Sequence, residues 1–480
     1  MAGPAETTPG RFHPEDGTRP FYEPKPLTNT PPPGALDLAM KAHDGRLAFY
    51  VGAGLSMSLP TDLPSGGEVQ GRIAERARRL LGVEVTDPAG DQPSLEELGE
   101  AATSEDVLDR LRWLAVDAID FVHVLPNFGH EAVALLLREG AVEVLSVNWD
   151  CGVESAARGL HFEVAPILRQ QDRADRPRRP VMDKLNGCAS QPLTLRITRE
   201  EVDKPQAWAT YRVGSVLTDT TVAFIGLGTV GKYVADGVER MLEASKDRAA
   251  PIVVVSTSLS EDWKAALGEK ADDAHVAQGA EPFLDDLLRA TVLLALTRAV
   301  ERAKRWAHSG HPAAQRLLDG ADRLDEALTQ HAAVPVWRWW RDGAAGQLIG
   351  RPFILEQLGE TAVATVCALV GDEDCEVSGR EDALVVELPD RYVEICSWPG
   401  ESARSVVTRQ AARIRKRRGR NVYKDLTKKV VSVAVGHDGA LPTSAVSLDI
   451  DDPGGSMKDI VDGSERVLLE WIPGESFAQA

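Results

Sequence analysis

Four short apolar runs, the last three of them rich in β-branched residues, recur in the first part of the chain, and helical patterns separate them. The runs are residues 47–51, 142–147, 222–225 and 252–256. Helical patterns lie between them, for instance at 68–81, 94–101 and 129–139. Strands that alternate with helices pair in parallel, because each crossover connection needs a helix on one face of the sheet. The sequence therefore predicts an α/β fold built on a Rossmann-like parallel sheet.

The length of 480 residues exceeds one compact core and predicts more than one domain. Residues 1–35 are Pro-rich and aperiodic, which indicates a flexible tail or a strap on the surface. We assign residues 36–290 to the α/β domain, 291–345 to a helical connector and 346–480 to a small α+β domain. The connector contains Trp337, Trp339 and Trp340, which we interpret as core or interdomain packing.

The chain is acidic, with 54 Lys and Arg against 73 Asp and Glu and a net charge of -19. Such a balance argues against general binding to nucleic acid or anionic membranes. The five cysteines form no C-x-x-C pair, so neither a disulfide framework nor a zinc ribbon fits, and we expect no structural zinc. Without a secretory signal or a run of about 20 apolar residues, we expect a soluble, cytoplasmic protein with no membrane partner.

A glycine turn follows the first predicted strand directly, in Tyr50-Val51-Gly52-Ala53-Gly54-Leu55-Ser56. Glycine permits a positive φ angle and lets the backbone approach a ligand closely. Amides at such a turn can hold a phosphate group. A tight turn without a ligand would, however, give the same pattern.

Further polar motifs follow in a fixed order along the chain. They are Pro126-Asn127-Phe128-Gly129-His130, Leu145-Ser146-Val147-Asn148-Trp149-Asp150, Lys184-Leu185-Asn186-Gly187, Leu195-Arg196-Ile197-Thr198-Arg199-Glu200-Glu201 and Phe224-Ile225-Gly226-Leu227-Gly228. Two of them end predicted strands, and ligands bind at the carboxyl ends of strands in open α/β sheets. With the glycine turn, this ordered set resembles the sirtuin superfamily, specifically its prokaryotic branch linked to antiphage defence. The resemblance covers a little over half the chain and nothing beyond about residue 290.

The resemblance implies NAD as ligand or substrate and gives roles to individual residues. Gly52, Ala53, Gly54 and Ser56 would cradle the NAD phosphates. Asn148 would contact the nicotinamide ribose and orient the attacking water, and Asp150 would order the same corner. Four residues after the next strands would approach the phosphates and the adenosine ribose: Gly226, Thr229, Ser256 and Thr257.

Several of these residues also have a plainer interpretation. Asn148 and Asp150 could simply cap a helix after a strand, a position that Asn and Asp favour. His130 lies on a predicted helix in an apolar stretch, so we interpret it as a structural histidine rather than a catalytic one. The same helix should begin at Asn127 and end at Gly140.

Two departures from the sirtuin pattern bear on the activity. The chain lacks the four-cysteine zinc ribbon of family deacylases, which disfavours a protein deacetylase and favours the NAD-hydrolysing branch. Position 186 is Asn, where the family has the histidine that acts as base toward the nicotinamide ribose. Asparagine can donate or accept a hydrogen bond but cannot take up a proton near neutral pH.

Three explanations of Asn186 stay open at this point. It could be an engineered substitution that traps bound NAD, or a natural residue in a weak or binding-only protein. Alternatively, another residue could supply the base. We therefore group Asn148, Asp150 and Asn186 as the candidate catalytic residues.

A basic segment at residues 404–429 stands out in this acidic chain, with eleven Lys or Arg and a single acid. Arg409, Arg413, Arg417 and Arg420 share one helical face with Lys416. A solvated helix would explain the segment, and so would a contact with nucleic acid or a partner protein.

The predicted function is NAD glycohydrolysis to nicotinamide and ADP-ribose, weakened by Asn186, in an effector of bacterial antiphage defence. We expect such an effector to act as a homo-oligomer or with a defence-system partner. The alternative is a non-catalytic subunit of a defence complex that binds NAD, ADP-ribose or nucleic acid.

Overall fold

The structure is a computed structural model of the 480-residue chain. It describes residues 21–83, 93–102, 104–174, 180–203, 206–228, 230–244, 252–308, 314–342, 375–380, 383–398, 422–425, 428–436 and 467–471, and residues 363, 366, 367, 370 and 371.

A seven-stranded parallel sheet forms the first half of the fold, in the spatial order β3-β4-β2-β1-β5-β6-β7. Its strands are β1 Leu47–Val51, β2 Glu143–Ser146, β3 Ala165–Ile167, β4 Val181–Lys184, β5 Thr221–Ile225, β6 Ile252–Ser256 and β7 His275–Ala277. The predicted α/β, Rossmann-like fold class is confirmed. The four predicted strands are present, and β3, β4 and β7 were not predicted.

Helices cover both faces of this sheet and continue beyond it. They are α1 Pro33–His43, α2 Gly66–Leu81, α3 Leu95–Glu100, α4 Glu105–Ala118, α5 Phe128–Arg138, α6 Gly152–Gly159, α7 Gln170–Ala174, α8 Arg199–Asp203, α9 Ala207–Asp219, α10 Lys232–Ala244, α11 Glu261–Leu267, α12 Ala271–Ala274, α13 Ala280–His308, α14 Ala314–Thr329 and α15 Ala333–Asp342. Among the described residues, none of these helices is long and apolar enough to cross a membrane.

Alternation of side chains along each strand produces two core layers. In β1, Phe49 belongs to the layer shared with α1, α5 and α13, whereas Tyr50 belongs to the layer under α9, α10 and α11. A third apolar cluster ties α2, α3 and α4 together through buried residues such as Ile73 and Leu111. Burial of both faces explains why β1 and β5 are continuous apolar runs.

Strand order reverses at β1, because the chain leaves β1 for β2 on one side and later returns to β5 on the other. A crevice opens at such a reversal, outside the carboxyl ends of the strands. The segments that follow β1, β2, β4 and β5 meet at this edge.

A second, five-stranded sheet lies in the C-terminal part, in the order β12-β11-β10-β9-β8. Its strands are β8 Glu376–Arg380, β9 Ala383–Glu387, β10 Arg391–Trp398, β11 Lys429–Gly436 and β12 Val467–Trp471. Strands β8 to β10 pair antiparallel and β10 to β12 pair parallel. Helix α15 packs on β9 and β10, and its Trp337, Trp339 and Trp340 are buried, as predicted for packing residues.

The described part of the predicted tail, residues 21–32, lies as a strap on the helical layer. The backbone amide of Leu27 donates to the carbonyl of His331 at 2.9 Å, and the Tyr22 hydroxyl donates to Asp285 at 2.9 Å. Helix α13 runs without interruption through residue 290, where we placed a domain boundary. The division into domains remains a prediction.

Candidate functional site

The glycine turns after β1 and β5 pack directly against each other. The backbone amide of Gly54 donates to the carbonyl of Gly226 at 2.8 Å. A Cβ on Gly54 would lie 2.8 Å from the Gly226 Cα, and Gly226 has a φ of +67°. Glycine is therefore required here for the contact between two turns, which brings the ends of β1 and β5 together at the crevice.

Beneath these turns, Ser56 connects two buried polar side chains. Its hydroxyl donates to Asp150 Oδ2 at 2.9 Å, and its Oγ lies 3.0 Å from His130 Nε2. Asp150 Oδ1 accepts a further hydrogen bond from the Gly152 amide at 2.9 Å, at the start of α6. All three side chains are almost fully buried.

The hydrogen bonds of His130 fix its tautomer. The backbone amide of Asn127 donates to His130 Nδ1 at 3.3 Å, so Nδ1 accepts and the ring proton lies on Nε2, facing Ser56. Burial lowers the pKa of His130 by more than the charge of Asp150 raises it, so the ring is neutral. Serine lies between histidine and aspartate, unlike in a nucleophilic triad, where histidine lies between the other two. This agrees with the prediction of a structural histidine.

Helix α5 begins as predicted. The Asn127 side chain accepts from the His130 amide at 3.0 Å and donates to the carbonyl of Leu55 at 2.8 Å. Asn127 thus caps α5 and fastens its first turn to the segment that follows β1.

Asn148 projects from the end of β2 toward the same crevice. Its amide nitrogen donates to the carbonyl of Gly52 at 3.0 Å and lies 3.4 Å from Ser56 Oγ. In the described part of the chain, its amide oxygen has no hydrogen-bond partner, so this oxygen can accept a bond from a ligand or a water molecule.

The segment after β4 places Asn186 at the same pocket as Asn148. Gly187 has a φ of +89°, and a Cβ there would lie 2.2 Å from the carbonyl oxygen of Thr194. The Asn186 carbonyl accepts from the Arg196 amide at 3.2 Å. Within the described residues, the Asn186 side-chain amide makes no hydrogen bond. The backbone is therefore held by its neighbours while the amide side chain stays available.

A pocket of about 250 Å³ brings five of the predicted site residues together. They are Ala53, Ser56, Asn148, Asp150 and Asn186. One wall is apolar and includes Phe121 and Trp149, whose rings meet edge to face with centroids 6.0 Å apart. Further lining residues come from the α2–α3 region and include Val69, Leu95 and Glu96.

The other predicted residues lie outside this pocket. Gly52, Gly54 and Gly226 form the packed turns beside it. Ser256 donates to the carbonyl of Ser258 at 2.8 Å, and Thr257 is exposed after β6. Thr229 lies outside the described residues, as do the basic-segment residues Arg409, Arg413, Arg417 and Arg420.

Arg196 also lines the pocket, and we gave it no role on sequence grounds. It is half-buried, and desolvation lowers its pKa from the ordinary arginine value. Its Nη1 atom donates to the carbonyl of Glu201 at 3.4 Å. Its motif was recognisable in the sequence, but only the fold shows that Arg196 lines the same pocket as Asn148 and Asn186.

Lys184 is a second residue that sequence reasoning left without a role. It is fully buried behind the pocket, donates to the backbone carbonyl of Asp150 and pairs with Glu154 Oε1 at 3.2 Å. Burial acts to lower the pKa of Lys184, but the charges of Glu154 and Cys188 outweigh it and raise that pKa. The ammonium group therefore stays charged and fixes the backbone at Asp150.

No family model and no curated protein matches the chain. Among solved structures, a Sir2 homologue in complex with NAD is 15% identical, with a TM-score of 0.34, and the match covers 54% of this chain and 94% of that one. A His-to-Asn mutant of a Sir2 homologue in complex with ADP-ribose is 15% identical, with a TM-score of 0.32, and covers 54% and 97%. The strand order of the sheet itself carries the Rossmann-like assignment.

Proposed function

We propose that the chain binds NAD at this edge of the sheet and is an NAD glycohydrolase whose turnover is limited by Asn186. The observation that carries the proposal is the convergence of Asn148 and Asp150, from the segment after β2, with Asn186, from the segment after β4, on one pocket beside the glycine turns. These are the residues to which the sirtuin resemblance gives roles at the nicotinamide ribose.

The size of the pocket favours one half of the dinucleotide. Pockets for drug-sized ligands are about 300–1,000 Å³, and this one is about 250 Å³. It suits the nicotinamide riboside half, with the aromatic wall of Phe121 and Trp149 against the ring. The phosphates and adenosine would then lie toward the glycine turns and the exposed end of β6.

The polar groups of the pocket fit the hydrolysis of a ribosyl bond. Water adds to C1′ of the nicotinamide ribose while the C–N bond breaks, giving ADP-ribose, neutral nicotinamide and one proton. The positive charge that develops on the ribose is stabilised by a nearby carboxylate, and Asp150 supplies one. The amide oxygen of Asn148 can accept a hydrogen bond from the attacking water, and Arg196 offers a cation to a phosphate.

Asn186 determines how fast this reaction can be. Its amide can bond a ribose hydroxyl but cannot accept the proton, which must leave to bulk water. Loss of a general base typically costs 10²–10⁴-fold in rate. The same residue favours a second candidate function, a subunit that binds NAD or ADP-ribose without hydrolysing it.

We further propose, from the sirtuin resemblance alone, that the biological role is that of an effector in bacterial antiphage defence. Consumption of NAD would then be suicidal for the infected cell. In this role the chain would act as a homo-oligomer or together with a partner protein.

Calorimetric titration with NAD tests the binding step, with Asn148→Ala compared against Asn29→Ala on the exposed strap. Removal of a hydrogen-bonding side chain should weaken binding by about 1–3 kcal/mol, roughly 5- to 150-fold, for Asn148→Ala only. Absence of binding at millimolar NAD, or equal affinity for both variants, would contradict the proposal. Chromatography of nicotinamide then separates hydrolysis from binding alone.

A further inference from the structure

Two cysteines that the proposed reaction does not use lie side by side behind the pocket. Cys151 follows Asp150 directly, and Cys188 comes two residues after Asn186. Their Sγ atoms are 3.7 Å apart, and both side chains are buried. The two residues are far apart in the sequence, so this pair exists only in the folded chain.

The two thiols have different surroundings. Cys188 Sγ lies 3.5 Å from Lys184 Nζ and 3.1 Å from the hydroxyl of Ser190. A hydrogen bond from Cys151, together with the Lys184 charge and Ser190, lowers the pKa of the Cys188 thiol. The bond to Cys188 and burial raise the pKa of the Cys151 thiol. The ammonium group of Lys184 and the hydroxyl of Ser190 thus favour the thiolate form at Cys188 rather than at Cys151.

A metal ion is the first alternative for this cluster. Ligand atoms of Cys151, Glu154 and Cys188 all lie within 4.8 Å of one another. Lys184 Nζ, however, pairs with Glu154 at 3.2 Å and also contacts Cys188. The ammonium group thus supplies the positive charge that a metal would bring, and a bound cation next to it would be repelled.

The backbone around the pair allows a covalent bond. The Ala189 amide donates to the carbonyl of Trp149 at 2.8 Å, so the two cysteine-bearing segments run next to each other. A disulfide needs a sulfur–sulfur distance of about 2.05 Å, which calls for a closure of about 1.6 Å from the present separation. Rotation of the two side chains can supply a movement of that size.

We propose that Cys151 and Cys188 form a reversible disulfide when the protein meets a peroxide. The Cys188 thiolate attacks one peroxide oxygen, which breaks the O–O bond, gives a sulfenic acid and releases hydroxide that a proton converts to water. The Cys151 thiol then attacks the sulfenic sulfur, the S–S bond forms and a second water leaves. A dithiol reductant reverses the bond.

The bridge would join the segment after Asp150 to the segment after Asn186. The stretches that lead into the two cysteines hold all three residues that carry the proposed site, Asn148 and Asp150 on one and Asn186 on the other. Oxidation would thus lock the pocket in one arrangement, whereas the reduced pair leaves each segment held by hydrogen bonds alone. The inference is independent of NAD hydrolysis, because the bond forms from groups behind the pocket.

Peptide mapping tests this directly on the 480-residue protein. The reduced protein is exposed to hydrogen peroxide, its remaining thiols are blocked with N-ethylmaleimide, and the digest is analysed by mass spectrometry. We expect a peptide pair linked through Cys151 and Cys188 that disappears after dithiothreitol treatment. In the wild-type protein, reduced Cys188 should be lost faster than reduced Cys375, because Lys184 and Ser190 lie beside the Cys188 sulfur and favour its thiolate.

Two variants separate the roles of the sulfurs, with Cys375→Ser as the matched control. Cys151→Ser should accumulate a Cys188 sulfenic acid that dimedone traps, Cys188→Ser should leave Cys151 reduced, and Cys375→Ser should still form the linked pair. The proposal is overturned if both thiols of the wild type stay reduced under peroxide, or if Cys188 is oxidised without forming the linked peptide. Stoichiometric metal in the reduced protein, lost in Cys188→Ser, would overturn it in favour of a metal site.

Discussion

The hydroxyl of Ser56 donates to Asp150 Oδ2 at 2.9 Å, while its oxygen lies 3.0 Å from His130 Nε2. One serine thus satisfies two buried polar groups from different elements. Ser56→Ala leaves both without this partner, and a buried unsatisfied group costs about 1–3 kcal/mol. We expect the free energy of unfolding, measured with urea, to fall by that amount or more. Thr257→Ala, at an exposed hydroxyl, should change it little, and equal effects of the two variants would contradict this role of Ser56.

The stability of the protein should depend on pH through His130. Burial lowers the pKa of His130 in the folded state, so between the two pKa values the unfolded chain binds more protons. Folding free energy is therefore lost as pH falls below the ordinary histidine pKa, about 6.5, by up to about 1.4 kcal/mol per pH unit. Urea unfolding at pH 7.5 and 5.5 measures the loss. The loss of the free energy of unfolding between these pH values should be smaller in His130→Gln and unchanged in His123→Gln, whose side chain is exposed. The same loss in both variants would exclude His130 as the cause.

Restoring a base at position 186 should raise NAD hydrolysis. Asn186→His should increase the rate by about 10²–10⁴-fold if loss of the base is the only defect. NAD affinity should change by only about 0.5–1.5 kcal/mol, because at most one hydrogen bond is exchanged in the ground state. Nicotinamide release and calorimetry measure the two quantities. Rapid hydrolysis by the unmodified chain, or no gain in the variant, would disprove this account of Asn186.

The contact between the glycine turns can be tested by replacing each of two nearby glycines, Gly226 and Gly228, with alanine. Gly226→Ala forces a side chain into a backbone with φ of +67° and places its Cβ 2.7 Å from the Leu55 nitrogen. Gly228→Ala meets nothing within 4 Å. The left-handed conformation alone costs about 1–2 kcal/mol for a residue with a Cβ. We expect Gly226→Ala to lower both the free energy of unfolding and NAD affinity, and Gly228→Ala to lower neither by a comparable amount.

The basic segment is best tested through salt dependence. If Arg409, Arg413, Arg417 and Arg420 contact nucleic acid, log K should fall with log salt by about 0.9 for each neutralised phosphate. Replacing all four arginines with Gln should flatten the plot of log K against log salt. The double variant Arg78→Gln and Arg79→Gln, at two exposed positions of α2, should leave that slope unchanged. Absence of binding at low salt would leave the solvated-helix interpretation.

The sequence was sufficient for strands that are nearly continuous apolar runs, such as β1 and β6, because burial on both faces demands that composition. Strand β4 escaped prediction because half of it is charged. Its Asp183 is buried only by virtue of Arg173 and Arg212, whose side chains contact it at 2.6 Å and 3.0 Å. Arg173 and Arg212 belong to other elements, so the sequence around Asp183 does not predict these ion pairs.

The candidate site shows the same division. Residues at strand ends, such as Asn148, were predictable because their position follows from the strand itself. The exposed end of β6 was assigned two ligand contacts, Ser256 and Thr257, and these stay a prediction, while the bond from Ser256 to the Ser258 carbonyl could not be read from the sequence. The pairing of Cys151 with Cys188 depends on how two loops meet and has no sequence signal. The sequence pattern thus predicts where along an element a polar residue lies, whereas only the fold shows which other residues it contacts.

Helix α5 has consequences for how the chain can be divided. Asn127 and His130 lie at its first turn, beside the site, while Glu139 at its far end is buried in an ion pair with Arg341 of α15 at 2.9 Å. Arg138 lies over the ring of Trp337, 5.5 Å from its centroid. A fragment that ends at residue 290 or 308 would lack Arg341, the ion-pair partner of Glu139, and would expose apolar sides of α5 and α13 to water. The two sheets should therefore unfold in a single cooperative transition. The shortest fragment that folds by itself and keeps this pocket should include helix α15.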